Sequence, residues 1–246
     1  MRKLFVALSI FASTIAVAQA HERSWTGFYV GVHGAYSWFD QDFPGLPEHI
    51  PSPVPAGKQS GPPRMDLSGG MLGGQIGAQY HFKGGILVGI EADYSRGNLS
   101  ETRRDGDFIT QTTEIDWTGT LRGRVGLPMG AWMPYVTAGI MWAGASYNQT
   151  CPTAATRGHC DRAEQYSVTK EQTHSGFVYG GGLEWMVSNN FSVKAEGLWF
   201  NLGKEVYALG SAPLNSNEAL GNKPIDFDGA MFRIGGNYRF KCHYTR

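Results

Sequence analysis

Cys151, His159, Cys160 and Asp161 form a compact group of side chains able to ligate a metal or form a covalent cross-link. A zinc site needs ligands spaced to reach the vertices of a tetrahedron, and the adjacent pair His159 and Cys160 fits none of the common spacings. In an oxidising compartment the cysteines bracketing the polar segment PTAATRGH read instead as a local disulfide, Cys151 to Cys160, with Cys242 left free. A hydrolase would need a histidine on the same face as a serine or a carboxylate. His174 and Ser175 are neighbours and on a strand point to opposite sides. His33 has no fixed partner visible in the sequence and suits an interior hydrogen-bonding role. The glycine-rich run GGMLGGQIG is followed by neither a helix pattern nor Lys-Ser/Thr, so it reads as small interior positions and bends of a sheet rather than a phosphate cradle. The sequence assigns no catalytic, cofactor or metal site.

A second kind of chemistry is written into the charged residues that recur at every second position. The stretch DFDGAMFRIGGNYRF, residues 226–240, carries Phe232, Ile234, Gly236, Tyr238 and Phe240 on one face and Arg233, Gly235, Asn237 and Arg239 on the other. That is a strand with an oily face and a wet, charged face. The same alternation places Glu91, Asp93, Asp116, Arg122, Arg124, Glu184, Lys194 and Glu196 on the wet faces of their strands. Both signs are represented, so the ten form a candidate charge network. In a water-soluble barrel these charges would face out, and Phe28, Trp38, Trp117, Tyr179, Trp185, Trp199, Phe232, Tyr238 and Phe240 would crowd the interior. An eight-stranded barrel has little room for so many rings. The rings are therefore assigned to lipid and the charges to a narrow, filled lumen.

The elements that would hold these residues are eight alternating stretches, near residues 25–39, 69–82, 86–96, 112–127, 133–147, 175–187, 191–200 and 226–240. The connections between them alternate too: long polar ones at about 40–68, 97–111, 148–173 and 201–225, short ones after the even-numbered strands. Long loops at one rim and tight turns at the other predict an all-β fold, an eight-stranded antiparallel up-and-down transmembrane β-barrel. Residues 1–20 read as a secretory signal peptide, with Arg2 and Lys3, an apolar run from Leu4 to Val17, and the small-residue site Ala18-Gln19-Ala20. Residues 21–246 then form the barrel domain. The balance of 21 basic and 21 acidic residues, with 17% charged overall, argues against a nucleic-acid partner. Gly at 34, aromatics at 13% and a mean hydropathy of −0.27 suit alternating strands rather than spanning helices.

WTGFYVGVHGAY, TLRGRVGLPMGAWMPYVTAGI, GGLEWMVSNNFSVKAEGLWF and FRIGGNYRF together resemble the alphaproteobacterial outer-membrane immunogenic, or porin-family, small barrels, relatives of the OmpA-type membrane domain. The likeness covers nearly all of residues 21–246 apart from the long loops. It implies insertion in the outer membrane among lipid and lipopolysaccharide, assembly by the barrel-assembly machinery through the C-terminal strand, and an envelope-structural and surface-antigen role without catalysis or cofactor. The alternatives are a small-solute channel, or haem or host-ligand binding through the loops, for which His159 and His174 are the candidate haem ligands. Members of the family usually end at the aromatic matching Phe240, whereas here Lys241 to Arg246 follow, and the proline-rich first loop is long for the family.

Overall fold

The computed structural model describes residues 24–42, 65–105, 109–151, 166–208 and 222–240. They form β1 (Gly27–Asp42), β2 (Met65–His81), β3 (Leu87–Asp105), β4 (Ile109–Gly126), β5 (Trp132–Cys151), β6 (Tyr166–Met186), β7 (Phe191–Ala208) and β8 (Asn222–Phe240). Each strand pairs antiparallel with the next, and β1 closes on β8 from Phe28 opposite Phe240 to Asp42 opposite Asp226. Closure removes the open edge that so long and aromatic a final strand would otherwise present.

The short turns follow β2, β4 and β6. The Phe82 amide donates to the Ile86 carbonyl at 2.9 Å, Met129 and Trp132 exchange backbone bonds, and Ser188 does the same with Phe191. Gly85 and Gly130 take positive φ values of 85° and 64°, which an L side chain rarely adopts. Both described ends of the chain lie at this rim, the periplasmic one in barrels of this architecture.

Outer and inner faces have the polarity of a membrane barrel. Val32, Leu72 and Phe177 are 70%, 76% and 77% exposed on the outside, while Arg122 and Arg233 are 1% and 0% exposed inside. Aromatic rings gather in two outer bands. Tyr80 with Phe82, Trp132 with Trp185 and Tyr238 with Phe240 pack in pairs near the short turns; Tyr36 with Trp38, Tyr94 with Trp117 and Tyr179 with Trp199 pack towards the other rim. Such girdles mark the two interfaces of a bilayer.

The strands run from 16 to 21 residues, whereas about 9–11 tilted residues cross a bilayer. The excess lies beyond the upper girdle, and it corrects the sequence reading of the loops. Residues 97–105 continue β3 and 109–111 already belong to β4, so only 106–108 separate the two strands. Likewise β5 runs on to Cys151, β6 begins at Tyr166, β7 continues to Ala208 and β8 begins at Asn222. In this protruding part the polarity inverts. Leu99, Ile115, Tyr147, Phe200, Ile225 and Phe227 turn inward, and Ser100, Thr102, Thr169 and Glu171 turn outward to water. Polar outer faces made these extensions look like loops.

Candidate functional site

The interior is filled in layers. Next to the short turns Trp25, Leu87, Met133, Tyr135 and Met186 form an apolar floor. The Trp25 indole donates to the Gly130 carbonyl at 3.2 Å, the Gln79 amide donates to the Trp25 carbonyl at 2.7 Å, and the Arg239 guanidinium lies 4.7 Å from the Trp25 ring centre. Trp25 thus stoppers the barrel just before β1 begins.

Above the floor is the charge layer. Arg122 on β4 reaches Glu91 at 2.6 Å, Asp93 at 3.0 Å and Glu196 at 3.2 Å. Arg124 pairs with Glu184 at 2.7 Å and lies 4.1 Å from the Tyr135 ring centre. Lys194 meets Glu91 at 2.8 Å, Arg233 meets Asp93 at 2.9 Å, and Arg239 meets Glu184 at 3.2 Å. Neutral donors add further hydrogen bonds to the carboxylates, although Asp93 Oδ1 is left without one. The Tyr29 hydroxyl donates to Glu91 at 2.8 Å, Tyr135 to Glu196 at 2.9 Å and Ser192 to Glu184 at 2.6 Å, while Thr120 donates to Asp93. Buried charge is tolerated only when paired and hydrogen-bonded in this way. His33 joins this layer, its ring nitrogens 3.0 Å from Gln75 Oε1 and 2.7 Å from Ser95 Oγ. The Gln75 amide in turn donates to Asn237 at 2.5 Å.

Glycines make the layer possible. A Cβ on Gly77 would collide with the hydroxyl end of the Tyr29 ring, and one on Gly73 would crowd His33 Nε2 and Ser95 Oγ. The run GGMLGGQIG therefore lets partner side chains from β1 and β3 lie flat against β2.

Asp116 is not part of this layer. Between β4 and β5 the register runs from Ile115 opposite Ala145 to Trp117 opposite Gly144, leaving Asp116 as the extra residue of a β-bulge. Asp116 is exposed, and beyond it the inward positions of β4 change from Thr120 and Thr118 to Ile115 and Thr113. A strict alternation carried through the bulge assigns Asp116 to the wrong face. Without it, five buried cations, Arg122, Arg124, Lys194, Arg233 and Arg239, face four buried carboxylates among the described residues.

A third, apolar layer closes the upper barrel. Phe39 packs on Phe200 with ring centres 4.6 Å apart, among Leu67, Met71, Leu99, Ile115 and Met231. Leu67 and Leu99 of this layer fall in segments that the sequence reads as loops. His174 is buried here, its ring edge-on to Phe227 at 4.7 Å, while Ser175 faces outward. His174 is thus a core residue of β6 and not a loop ligand. Cys151 ends β5; His159, Cys160, Asp161 and Cys242 lie outside the described residues.

A family model described as outer membrane protein beta-barrel domain matches residues 5–240. The chain belongs to that family. This outer-membrane β-barrel protein is 25% identical over 225 residues to the 31 kDa outer-membrane immunogenic protein of Brucella melitensis, covering 88% of this chain and 84% of the relative. It is 25% identical over 191 residues to the 22 kDa outer membrane protein of Rhizobium leguminosarum, covering 76% and 69%. Among solved structures it is similar to outer membrane protein OprG of Pseudomonas aeruginosa, with a TM-score of 0.48, 17% identity and coverage of 88% and 97%.

Proposed function

We propose that this protein is a non-catalytic outer-membrane barrel that supports the envelope and presents its extracellular rim as a recognition and antigen surface. The observation that carries the reading is the filled interior: floor, charge layer and apolar core follow one another along the barrel axis, and each is built from side chains committed to one another. No constellation among the described residues joins a nucleophile to an accessible base. The immunogenic naming of the Brucella relative agrees with surface display. Lipid and lipopolysaccharide are the surroundings the outer wall fits, and β8, which pairs with β1 to close the ring, is the strand the assembly machinery would engage. Host or haem contact, where it occurs, falls to the rim segments 43–64, 152–165 and 209–221.

Removal of those segments one at a time tests the reading. Each deletion should leave heat-modifiable folding and membrane insertion intact while abolishing recognition by antibodies raised against intact cells. Insertion that fails in every deletion, or recognition that survives all three, overturns it.

A further inference from the structure

The outer wall carries a cavity of about 320 Å³ bordered by Asp116, Trp117, Ser146, Glu171 and Thr173, on three adjacent strands. It is made by the bulge that turns both Asp116 and Trp117 outward. Gly144 forms part of its wall, because any Cβ there would collide with the Trp117 indole. The indole also stacks on Tyr94, with ring centres 5.9 Å apart and planes at 22°. Bulges re-aim side chains, and they recur at the rims of barrels and next to functional sites.

The cavity's height decides what can reach it. Trp117 and Tyr94 belong to the upper aromatic girdle, which sits at headgroup level. The cavity therefore opens where the outer leaflet changes from acyl chain to headgroup. Its chemistry combines an aromatic surface, two carboxylates and two hydroxyls. Carboxylates accept strong hydrogen bonds from hydroxyl donors, serine and threonine both donate and accept, and an indole face covers an apolar C–H surface. A pyranose ring offers all three complements, whereas a phosphate would meet Asp116 and Glu171 as like charges. Above the cavity the wall continues as a ladder of polar side chains. Thr102 and Thr112 lie 3.2 Å apart, Asn148 donates to Thr169 at 2.7 Å, and Thr150 and Ser167 are 3.1 Å apart.

We propose that this cavity binds the saccharide headgroup of an outer-leaflet glycolipid, lipopolysaccharide, with a sugar ring against Trp117 and its hydroxyls on Asp116 and Glu171. The polar ladder then carries the next sugar units outward along β4, β5 and β6. The site is on the wall and not on the rim segments, so this proposal and the surface-display reading can fail separately.

The test uses the full chain, purified in detergent and titrated with rough lipopolysaccharide under native mass spectrometry. Wild type should retain the glycolipid. Trp117→Ala and the pair Asp116→Asn with Glu171→Gln should bind about tenfold more weakly or worse, a loss of about 1.4 kcal/mol. Trp117→Phe, which keeps a ring, should bind closer to wild type and guards against a folding defect in the alanine variant. Asp40→Asn, an exposed carboxylate on β1, should bind as wild type does. Delipidated core oligosaccharide should compete, but more weakly than the intact glycolipid. Equal binding by wild type and the cavity variants overturns the proposal, as does an equal loss in Asp40→Asn. Loss of wild-type binding on adding a chelator would make the contact a cation bridge to phosphate. Free oligosaccharide binding as tightly as the glycolipid would make the ligand a soluble sugar. Either result also overturns it.

Discussion

Lys194 on β7 and Glu91 on β3 meet across the width of the barrel, the ammonium 2.8 and 2.9 Å from the two carboxylate oxygens. In a closed ring of eight strands these two are opposite one another, so the pair ties facing walls together rather than neighbours. Glu91 also receives Arg122 at 2.6 Å and the Tyr29 hydroxyl at 2.8 Å. It is the acceptor on which strands β1, β3, β4 and β7 converge.

Glu91→Ala should accordingly be among the most damaging substitutions in the lumen. It leaves Lys194 and Arg122 as buried cations short of a counter-charge, at a cost of about 3–5 kcal/mol. Urea unfolding in lipid vesicles, followed by the heat-modifiable gel shift, measures it. An unchanged midpoint would mean that the interior is hydrated enough to screen the charges.

Gly77→Ala should fail for a steric reason. The new methyl would collide with the hydroxyl end of the Tyr29 ring, so the ring must leave and take its bond to Glu91 with it. Overpacking of this kind costs about 1–3 kcal/mol. Gly84→Ala is the matched control, since nothing lies within 4 Å of its added carbon. Similar unfolding midpoints for the two variants would refute the packing account.

Strand period carried most of this architecture in plain view. Glu91, Asp93, Arg122, Arg124, Glu184, Lys194, Glu196, Arg233 and Arg239 all lie inside, on the faces that simple alternation gives them. Two features hide from that reading. A bulge changes parity without a sequence marker of its own, which is why Asp116 lands on the wrong side. Strands that leave the bilayer keep their alternation but exchange inside for outside, so Leu67, Leu99, Leu202 and Ile225 look like stray apolar residues in polar loops. The usable signal was β-propensity without hydrophobicity, as in the Thr- and Ile-rich ITQTTEI at 109–115.

The inverted upper barrel predicts opposite outcomes for an inward-facing and an outward-facing residue. Phe227, 1% exposed inside the apolar layer, should cost about 3–5 kcal/mol when cut to alanine. Asp116→Ala, on the outer face of the bulge, should stay within about 0.5 kcal/mol of wild type. Denaturant unfolding of both in the same vesicles checks the pair. If Asp116→Ala were the costlier change, the bulge assignment would be wrong.

Cys151 closes β5 opposite Tyr166, and Cys160 lies outside the described residues. A Cys151–Cys160 disulfide would cross-link a short loop and should contribute about 2–3 kcal/mol at most, with Cys242 left as a free thiol. Mass spectrometry of unreduced peptides decides it. Free thiols at both Cys151 and Cys160 would end the idea.

Conduction is the property the layered interior speaks to most directly, because the charge layer and the apolar layer lie in series. A solute passing Glu91 and Arg122 would still have to cross the packed rings of Phe39 and Phe200, and a tight apolar constriction blocks ions by excluding water. The purified protein in planar bilayers should therefore show no steady conductance. Removing the Lys194–Glu91 tie as a pair, Lys194→Ala with Glu91→Ala, takes out one cation and one carboxylate together and should still leave the barrel closed, since the apolar layer is untouched. Adding Phe39→Ala and Phe200→Ala to that pair should open a measurable current. Steady conductance in the wild type would establish a channel. Conductance in the double variant alone would show that the apolar layer is no barrier and that the charge layer is the whole gate.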